Sequence, residues 1–194
     1  MSVVYLLDNL DSFSYNLVDE VAQLGFSLKL YRNTVPAAYI FEKMQQEQQP
    51  VVLLLSPGPG VPSESGLLLP LIKEYAASKS IFGVCLGQQA IGESFGGQLT
   101  NLSKVYHGIA TPIELTAPSV LFEGLPAKFS VGRYHSWVVD EKNFPADLIV
   151  TSKDENGYIM SLEHKTYDVK AVQYHPESVL TPEGGKIINN WLKI

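Results

Sequence analysis

The chain has 194 residues, 45% hydrophobic and 18% charged, with a formal net charge of −6; this is enough for one substantial core and too short to require two domains. The acidic balance, with no Lys/Arg cluster, argues against a nucleic-acid partner, and no run of about eighteen apolar residues offers a membrane span. The opening MSVVYLLDNLDSF has no basic region and does not read as a signal peptide, and the single cysteine, which allows no internal disulfide, suits a reducing cytoplasm.

In chain order, VVYLL (Val3–Leu7) reads as a short apolar strand ending in DNLDSFSYN, where Asp11 and Ser12 are placed to cap a helix running to about Leu24. Gly25 stops that helix, and Phe26–Tyr31 alternates as a second strand. A helix over 38–48 and the strand Val51–Leu55 follow, and then SPGPGVPSESG, too rich in proline and glycine for regular structure. A helix near 67–77, the strand Ser80–Val84 and a helix over 86–95 complete the first half. Helices separating nearly pure apolar strands predict an α/β fold with a central, mostly parallel sheet flanked by helices. Beyond Gly96 the pattern changes to short strands at 105–114, 129–131, 137–139, 148–152, 158–163 and 169–174, with a last helix over 182–192. These predict antiparallel hairpins added to the same sheet, in one domain over 1–194.

The pentapeptide Gly83-Val84-Cys85-Leu86-Gly87 places the lone cysteine between a strand and a helix. This is the arrangement of a nucleophile elbow, in which the sharp turn points the reactive side chain outward and small flanking residues let strand and helix approach. The unpaired amides opening the helix favour a thiolate, and the Leu86 amide faces any oxygen gaining charge on an attacked carbonyl. A buried inert thiol is the competing reading. Gln89, one helical turn beyond Cys85, shares its side of the helix and suits a polar substrate.

A cysteine nucleophile needs a base, and there are four histidines. His175, in VKAVQYHPESVL, falls at the carboxyl end of a strand, the edge that Cys85 also occupies and where ligand sites of parallel sheets gather. An extended His-Pro-Glu would direct His175 and Glu177 to one side, and the carboxylate could hold the imidazole tautomer and support its cation. His164 reads as the surface of a hairpin turn, and His107 and His135 as loop residues without an adjacent carboxylate. The strand Val51–Leu55 delivers Ser56-Pro57-Gly58-Pro59-Gly60 to the same edge. Prolines have no amide proton, so Gly58 and Gly60 supply the donors, and Gly58 could complete a two-donor oxyanion hole with Leu86. A merely stiff turn is the alternative. The segment lacks Gly-Lys-Ser/Thr and is not a phosphate loop, and DNLDSF lacks calcium-loop spacing, so no metal site is predicted.

Taken together, LLDNLDSFSYNLV, SPGPGVP, GVCLGQQAI, FGG, HG, GRYHS and VQYHPESVLTPEGG resemble the class I, triad-type glutamine amidotransferases, almost from end to end. Within that family the resemblance is strongest to the glutaminase component of anthranilate synthases, with the matching component of aminodeoxychorismate synthases close behind. The resemblance implies Cys85 as nucleophile, His175 as base, Glu177 as third triad member, and Gly58 and Leu86 as oxyanion donors. It also implies that L-glutamine is held by Gln89 and the backbone of Ser136 and Trp137, with the loop Gly58, Pro59, Gly60 over one side; His135 is not expected to be catalytic. Ammonia would pass to a chorismate-using synthase subunit, the component I partner, toward which DNLDSF and the region around His107 face. No cofactor is expected in this chain, and Mg2+ is expected in the partner. Four positions depart from the common pattern: Gln88 where histidine is usual, Ile109 where lysine is usual, Trp137 where leucine is common, and Tyr174 in place of phenylalanine.

Overall fold

The computed structural model describes residues 2–193. Among them, apolar runs form β1 (Val3–Asp8), β2 (Ser27–Arg32), β3 (Val51–Leu55) and β4 (Ser80–Val84), separated by α1 (Ser14–Gln23), α2 (Ala37–Gln46) and α3 (Leu68–Tyr75). After α4 (Leu86–Ser94) come β5 (Leu99–Asn101), β6 (Ile109–Leu115), β7 (Lys128–Arg133), β8 (Trp137–Val139), β9 (Leu148–Asp154), β10 (Ile159–His164), β11 (Val169–Val172) and α5 (Gly184–Leu192). A nine-stranded sheet runs in the order β2-β1-β3-β4-β11-β10-β9-β6-β7. Strands β2, β1, β3, β4 and β11 are mutually parallel, and the remaining four extend the sheet antiparallel.

The two-residue side-chain period of a strand sorts the core into two layers. Val4 and Leu6 of β1 pack with Leu17 and Val21 of α1 and Ile187, Ile188 and Trp191 of α5. Val3, Tyr5 and Leu7 pack on the other face with Ile40 of α2, Leu71 and Ile72 of α3 and Ala90 and Ile91 of α4. Parallel strands buried on both faces need apolar residues at every position, which is why β1 reads as a continuous hydrophobic run.

Three expectations are corrected. Strand β5, not anticipated from the sequence, pairs with β8 in a separate two-stranded sheet, so not every added strand joins the main one. The strand expected from 105 begins at Ile109, because Val105–Gly108 is a loop whose Tyr106 and Gly108 amides bond to the His135 and Arg133 carbonyls at 3.0 Å each. Helix α1 has no side-chain cap. Asp11 instead accepts from the Phe13 amide at 2.8 Å, and Asp8 accepts from the Leu10 amide at 3.0 Å and the Ser14 hydroxyl at 2.7 Å. Aspartates offered nearby loop amides close local turns, and these carboxylates are consumed in shaping the loop.

At the junction of β4 with α4, strand and helix approach backbone to backbone. A Cβ on Gly83 would lie 2.6 Å from the carbonyl carbon of Gly87, and one on Gly87 would lie 2.8 Å from the Leu55 carbonyl oxygen. Both neighbours are backbone, so neither can swing aside. Replacing Gly83 by alanine is therefore expected to separate strand from helix, destabilising the protein by about 1–3 kcal/mol. A thermal melt of Gly83→Ala that overlays the native curve would contradict this.

Candidate active site

Cys85 is the N-cap of α4 and adopts φ 53°, ψ −99°, a left-handed conformation that few non-glycine residues take. Its amide donates to the Val172 carbonyl at 2.8 Å, tying the corner to the end of β11. The side chain is buried to 6% exposure but is not sealed among apolar neighbours. It borders a cavity of about 150 Å³ lined also by Gly58, Pro59, Gly60, Gln89, Tyr134, His135, Ser136 and Trp137. A wider groove of about 510 Å³, bordered by Asp140, Asn156 and Tyr158, contains none of the residues singled out from the sequence. The smaller cavity holds the only thiol and the polar groups around it, and size alone gives the larger one no chemistry.

His175 lies just beyond β11, so the parallel pairing of β4 and β11 brings it to the same edge as Cys85. Its Nδ1 is 2.8 Å from Glu177 Oε1, and both side chains are buried. Since a carboxylate only accepts, Nδ1 carries the proton. The two side chains do not meet through an extended segment as expected. The Ser178 amide bonds back to the His175 carbonyl at 3.2 Å, closing a turn that brings Glu177 round to the ring. The rings of Tyr134 and Phe13 stand edge-on to the imidazole, with centroids at 4.8 and 5.1 Å. Burial disfavours the imidazolium, but Cys85 and Glu177 together outweigh it and hold the ring proton up to about 10. The ring's other nitrogen, Nε2, is buried with no hydrogen-bond partner among the described residues.

The Gly58 loop is pinned from behind by the loop after β1. The Asn9 amide donates to the Ser56 hydroxyl, and the Asn9 side-chain amide to the Ser56 carbonyl, both at 2.8 Å. A Cβ on Gly58 would fall 2.6 Å from side-chain atoms of both Asn9 and Leu86, so only glycine brings this backbone against the start of α4. Leu86 is the first residue of that helix, where an amide has no acceptor within the helix.

On the opposite wall, Gln89 Nε2 donates to the Trp137 carbonyl at 3.0 Å. The same carbonyl is 3.0 Å from His135 Nδ1, and the Arg133 Nε–H lies 3.1 Å from His135 Nε2. A carbonyl only accepts and a guanidinium only donates, so His135 is neutral with its proton on Nδ1. Burial and then the Arg133 charge push its pKa down to about 3. Arg133 is fully buried, paired with Asp154 at 2.6 Å and seated 3.5 Å over the Tyr106 ring.

Cys85, Gln89, Ser136, Trp137 and the Gly58–Gly60 loop therefore line one cavity, and the His175–Glu177 pair lies at the same sheet edge. His135 also lines the cavity, whereas His164 accepts from the Thr166 and Tyr167 amides in its hairpin. Sequence reasoning passed over Asn9, Phe13, Arg133, Tyr134 and Gln173 as parts of the site. Most of their contacts are with distant segments, and only the motifs DNLDSF, GRYHS and VQYHPES carried any sign of them.

Residues 5–194 match the family described as glutamine amidotransferase class-I. The chain is 40% identical over 195 residues to anthranilate synthase beta subunit 1, chloroplastic, of Oryza sativa subsp. japonica, covering 98% of this chain and 66% of that one. It thus spans just under two thirds of the rice protein's length. It is 37% identical over 190 residues to aminodeoxychorismate synthase component 2 of Escherichia coli, covering 98% of this chain and 99% of that one. A solved structure of a candidate GMP synthase subunit from Thermoplasma acidophilum superposes with a TM-score of 0.81 at 23% identity, covering 100% of this chain and 93% of that one; it bears on the fold alone. With a family match over nearly all its length, this chain belongs to the class I glutamine amidotransferases.

Proposed function

We propose that this protein is the glutaminase subunit of an anthranilate synthase, working as one catalytic domain in the cytoplasm. The observation that carries the reading is the buried Glu177–His175 pair at 2.8 Å, set beside a thiol at a left-handed corner that opens onto a polar cavity. In this reading the His175 cation and a Cys85 thiolate form the resting ion pair. The thiolate attacks the carboxamide carbon of L-glutamine, and the amides of Gly58 and Leu86 receive the charge that develops on oxygen. His175 gives its proton to the departing nitrogen, which leaves as ammonia. The neutral ring then takes a proton from water as it adds to the thioester, the C–S bond breaks, and the electron pair returns to sulfur with release of glutamate. Gln89 and the Ser136–Trp137 backbone hold the amino-acid end of the substrate.

Consumption of the ammonia calls for a second protein, because a cavity of about 150 Å³ beside Cys85 has room for one small molecule only. Apolar side chains are exposed at Leu10 and at Tyr15 in the first turn of α1, at Val105 and at Ile109 of β6 on either side of His107, and at Val179 just past Glu177. Apolar side chains grouped around a reactive cavity suit a docking partner, here a chorismate-using synthase subunit. Ile109, where family members commonly have lysine, makes this rim less charged. The E. coli relative supports a second reading, in which the partner is an aminodeoxychorismate synthase. Glutamine hydrolysis measured alone and with each type of synthase subunit, with the product from chorismate identified, separates the two. Anthranilate is the expected product, and aminodeoxychorismate would transfer the assignment to the second reading.

Cys85→Ala is expected to abolish glutamine-dependent product formation while leaving the ammonia-dependent reaction of the complex intact. Glutamine use that survives the substitution would remove Cys85 from the mechanism. His175→Ala should cost on the order of a hundredfold more in kcat than Glu177→Gln, since the first removes the proton carrier and the second only its support.

The His175 ring should remain protonated between pH 6.5, the ordinary value, and about 10. Because its pKa is raised on folding, the stabilisation it brings is fully present below 6.5 and is lost as pH rises through about 10. Imidazole NMR signals should report that high midpoint, and Glu177→Gln should lower it. A ring titrating near 6.5 in the native protein would show that the pair carries no mutual charge.

A further inference from the structure

Gln173 sits between β11 and His175, fully buried, with its backbone amide bonded to the Met160 carbonyl at 2.8 Å. None of the steps described above uses its side chain. Yet its Nε2 is 3.6 Å from Cys85 Sγ, and its Oε1 is 3.3 Å from Gln89 Nε2. A long carboxamide thus spans the gap between the thiol and the residue assigned to substrate binding.

Which end of that carboxamide faces the sulfur follows from a chain of one-way hydrogen bonds. Arg133 can only donate, so it fixes His135 with its proton on Nδ1, and that proton goes to the Trp137 carbonyl. The Trp137 carbonyl can only accept, so it turns the Gln89 amide with nitrogen toward it. The second N–H of that nitrogen points at Gln173 and accepts nothing, so Gln173 must present its oxygen there and its nitrogen to Cys85. A buried Arg133–Asp154 pair anchors the far end, with both side chains fully excluded from solvent. No rotation of either glutamine amide satisfies the same set of contacts.

We propose that Gln173 is a further catalytic residue of the glutaminase chemistry, a directed N–H donor to the Cys85 sulfur, with Gln89, Trp137 and His135 as the positioning residues that aim it. The proposal rests on the nucleophilic reading of Cys85. An N–H aimed at sulfur favours the thiolate over the thiol. It therefore assists at the two moments when sulfur carries charge, before attack and again when the C–S bond of the thioester breaks and its electron pair returns to sulfur. In the thioester itself the sulfur is neutral and the donor contributes little. Loss of the donor should consequently raise the pH needed for attack and slow thioester hydrolysis. Because Gln89 shares the chain, glutamine entering the cavity and engaging Gln89 would be sensed at the nucleophile through Gln173.

The test uses the lone cysteine, since alkylation by iodoacetamide reports Cys85 and nothing else. In the intact chain without glutamine, the alkylation rate is followed against pH for native protein, Gln173→Met and Gln173→Glu. The methionine keeps length and removes the donor; the glutamate keeps length and puts a negative charge in its place. The expected result is a midpoint moved to higher pH in Gln173→Met, with alkylation about tenfold slower below it, one pH unit being a factor of ten. A larger displacement is expected in Gln173→Glu. In the complex with the synthase subunit, Gln173→Met should also accumulate glutamyl thioester, detected by mass spectrometry after acid quench. Profiles that overlay the native one in folded variants, or a midpoint moved to lower pH, would overturn the proposal. Should Gln173→Met fail to fold, the glutamate variant decides alone, and Gln89→Ala, which releases the aim of Gln173, should displace the midpoint part of the way. Native protein that hydrolyses no glutamine with either synthase would defeat the glutaminase reading, whereas the alkylation profiles judge Gln173 independently of turnover.

Discussion

The site depends on the close approach of β4 to α4. Gly83 and Gly87 lie backbone to backbone, at a separation that would place a Cβ 2.6 Å from a carbonyl carbon, and Gly87 rests in the same way on Leu55 of the neighbouring strand β3. This contact leaves the intervening residue little choice but a sharp turn, and Cys85 accordingly adopts φ 53°. Strain of this kind costs on the order of 1–3 kcal/mol and persists only where the surroundings over-determine it. Here they do: the strand on one side is buried in both layers of the core, and the helix on the other is clamped by the two glycines. The Cys85 side chain is thereby held at the sheet edge, bordering the cavity, with its backbone fixed.

The two buried histidines near that corner show how neighbours can either reinforce or overturn the effect of burial on a protonation state. His135 and His175 are both largely removed from solvent, and burial alone would neutralise each. His175 has a carboxylate on one ring nitrogen and the cysteine beyond the other, and its proton is held up to about 10. His135 is pushed down to about 3 by burial first, and then by the charge of Arg133, whose N–H it receives. One ring is thus suited to carry a proton through a reaction. The other is locked as a neutral strut that does not change charge near neutral pH, and its Nδ1–H binds the carbonyl that also receives Gln89.

Loops bring the rest together, each pinned by groups from elsewhere in the chain. Asn9 binds Ser56 and holds the Gly58 loop against Leu86; the turn after His175 delivers Glu177; the β7–β8 connection delivers Ser136 and Trp137 to the cavity wall. The aromatic rings of Phe13 and Tyr134 close around His175 and touch one another, at 4.8 Å between centroids. Dry walls strengthen the electrostatic pairings inside them. The cavity around the sulfur is thus enclosed, while Ile109 and Val179 remain exposed.

Much of this was legible in the sequence. Helix–strand alternation in the first half predicted a parallel sheet, because strands buried on both faces must be apolar throughout, and Gly-x-Cys-x-Gly identified the corner because only glycine allows that approach. His175 followed from its place at a strand end, whereas Glu177 reaches it through a turn and not through the extended His-Pro-Glu that the spacing suggested. What local pattern did not carry was everything decided by contacts between distant segments. Strand β5 is too short to have a period, and the aspartates of the first loop bind that loop's own amides and leave helix α1 without a side-chain cap. Gln173 and Asn9 look like ordinary polar residues until folding brings them to partners dozens of positions away, and Arg133 until it meets Asp154 across the sheet. The sequence by itself determined which residue types could attack, accept a proton and turn the chain, since these are properties of single side chains and of glycine. The tertiary structure alone decided which histidine is charged and which way each buried amide points, because both depend on neighbours that only the packed sheet supplies.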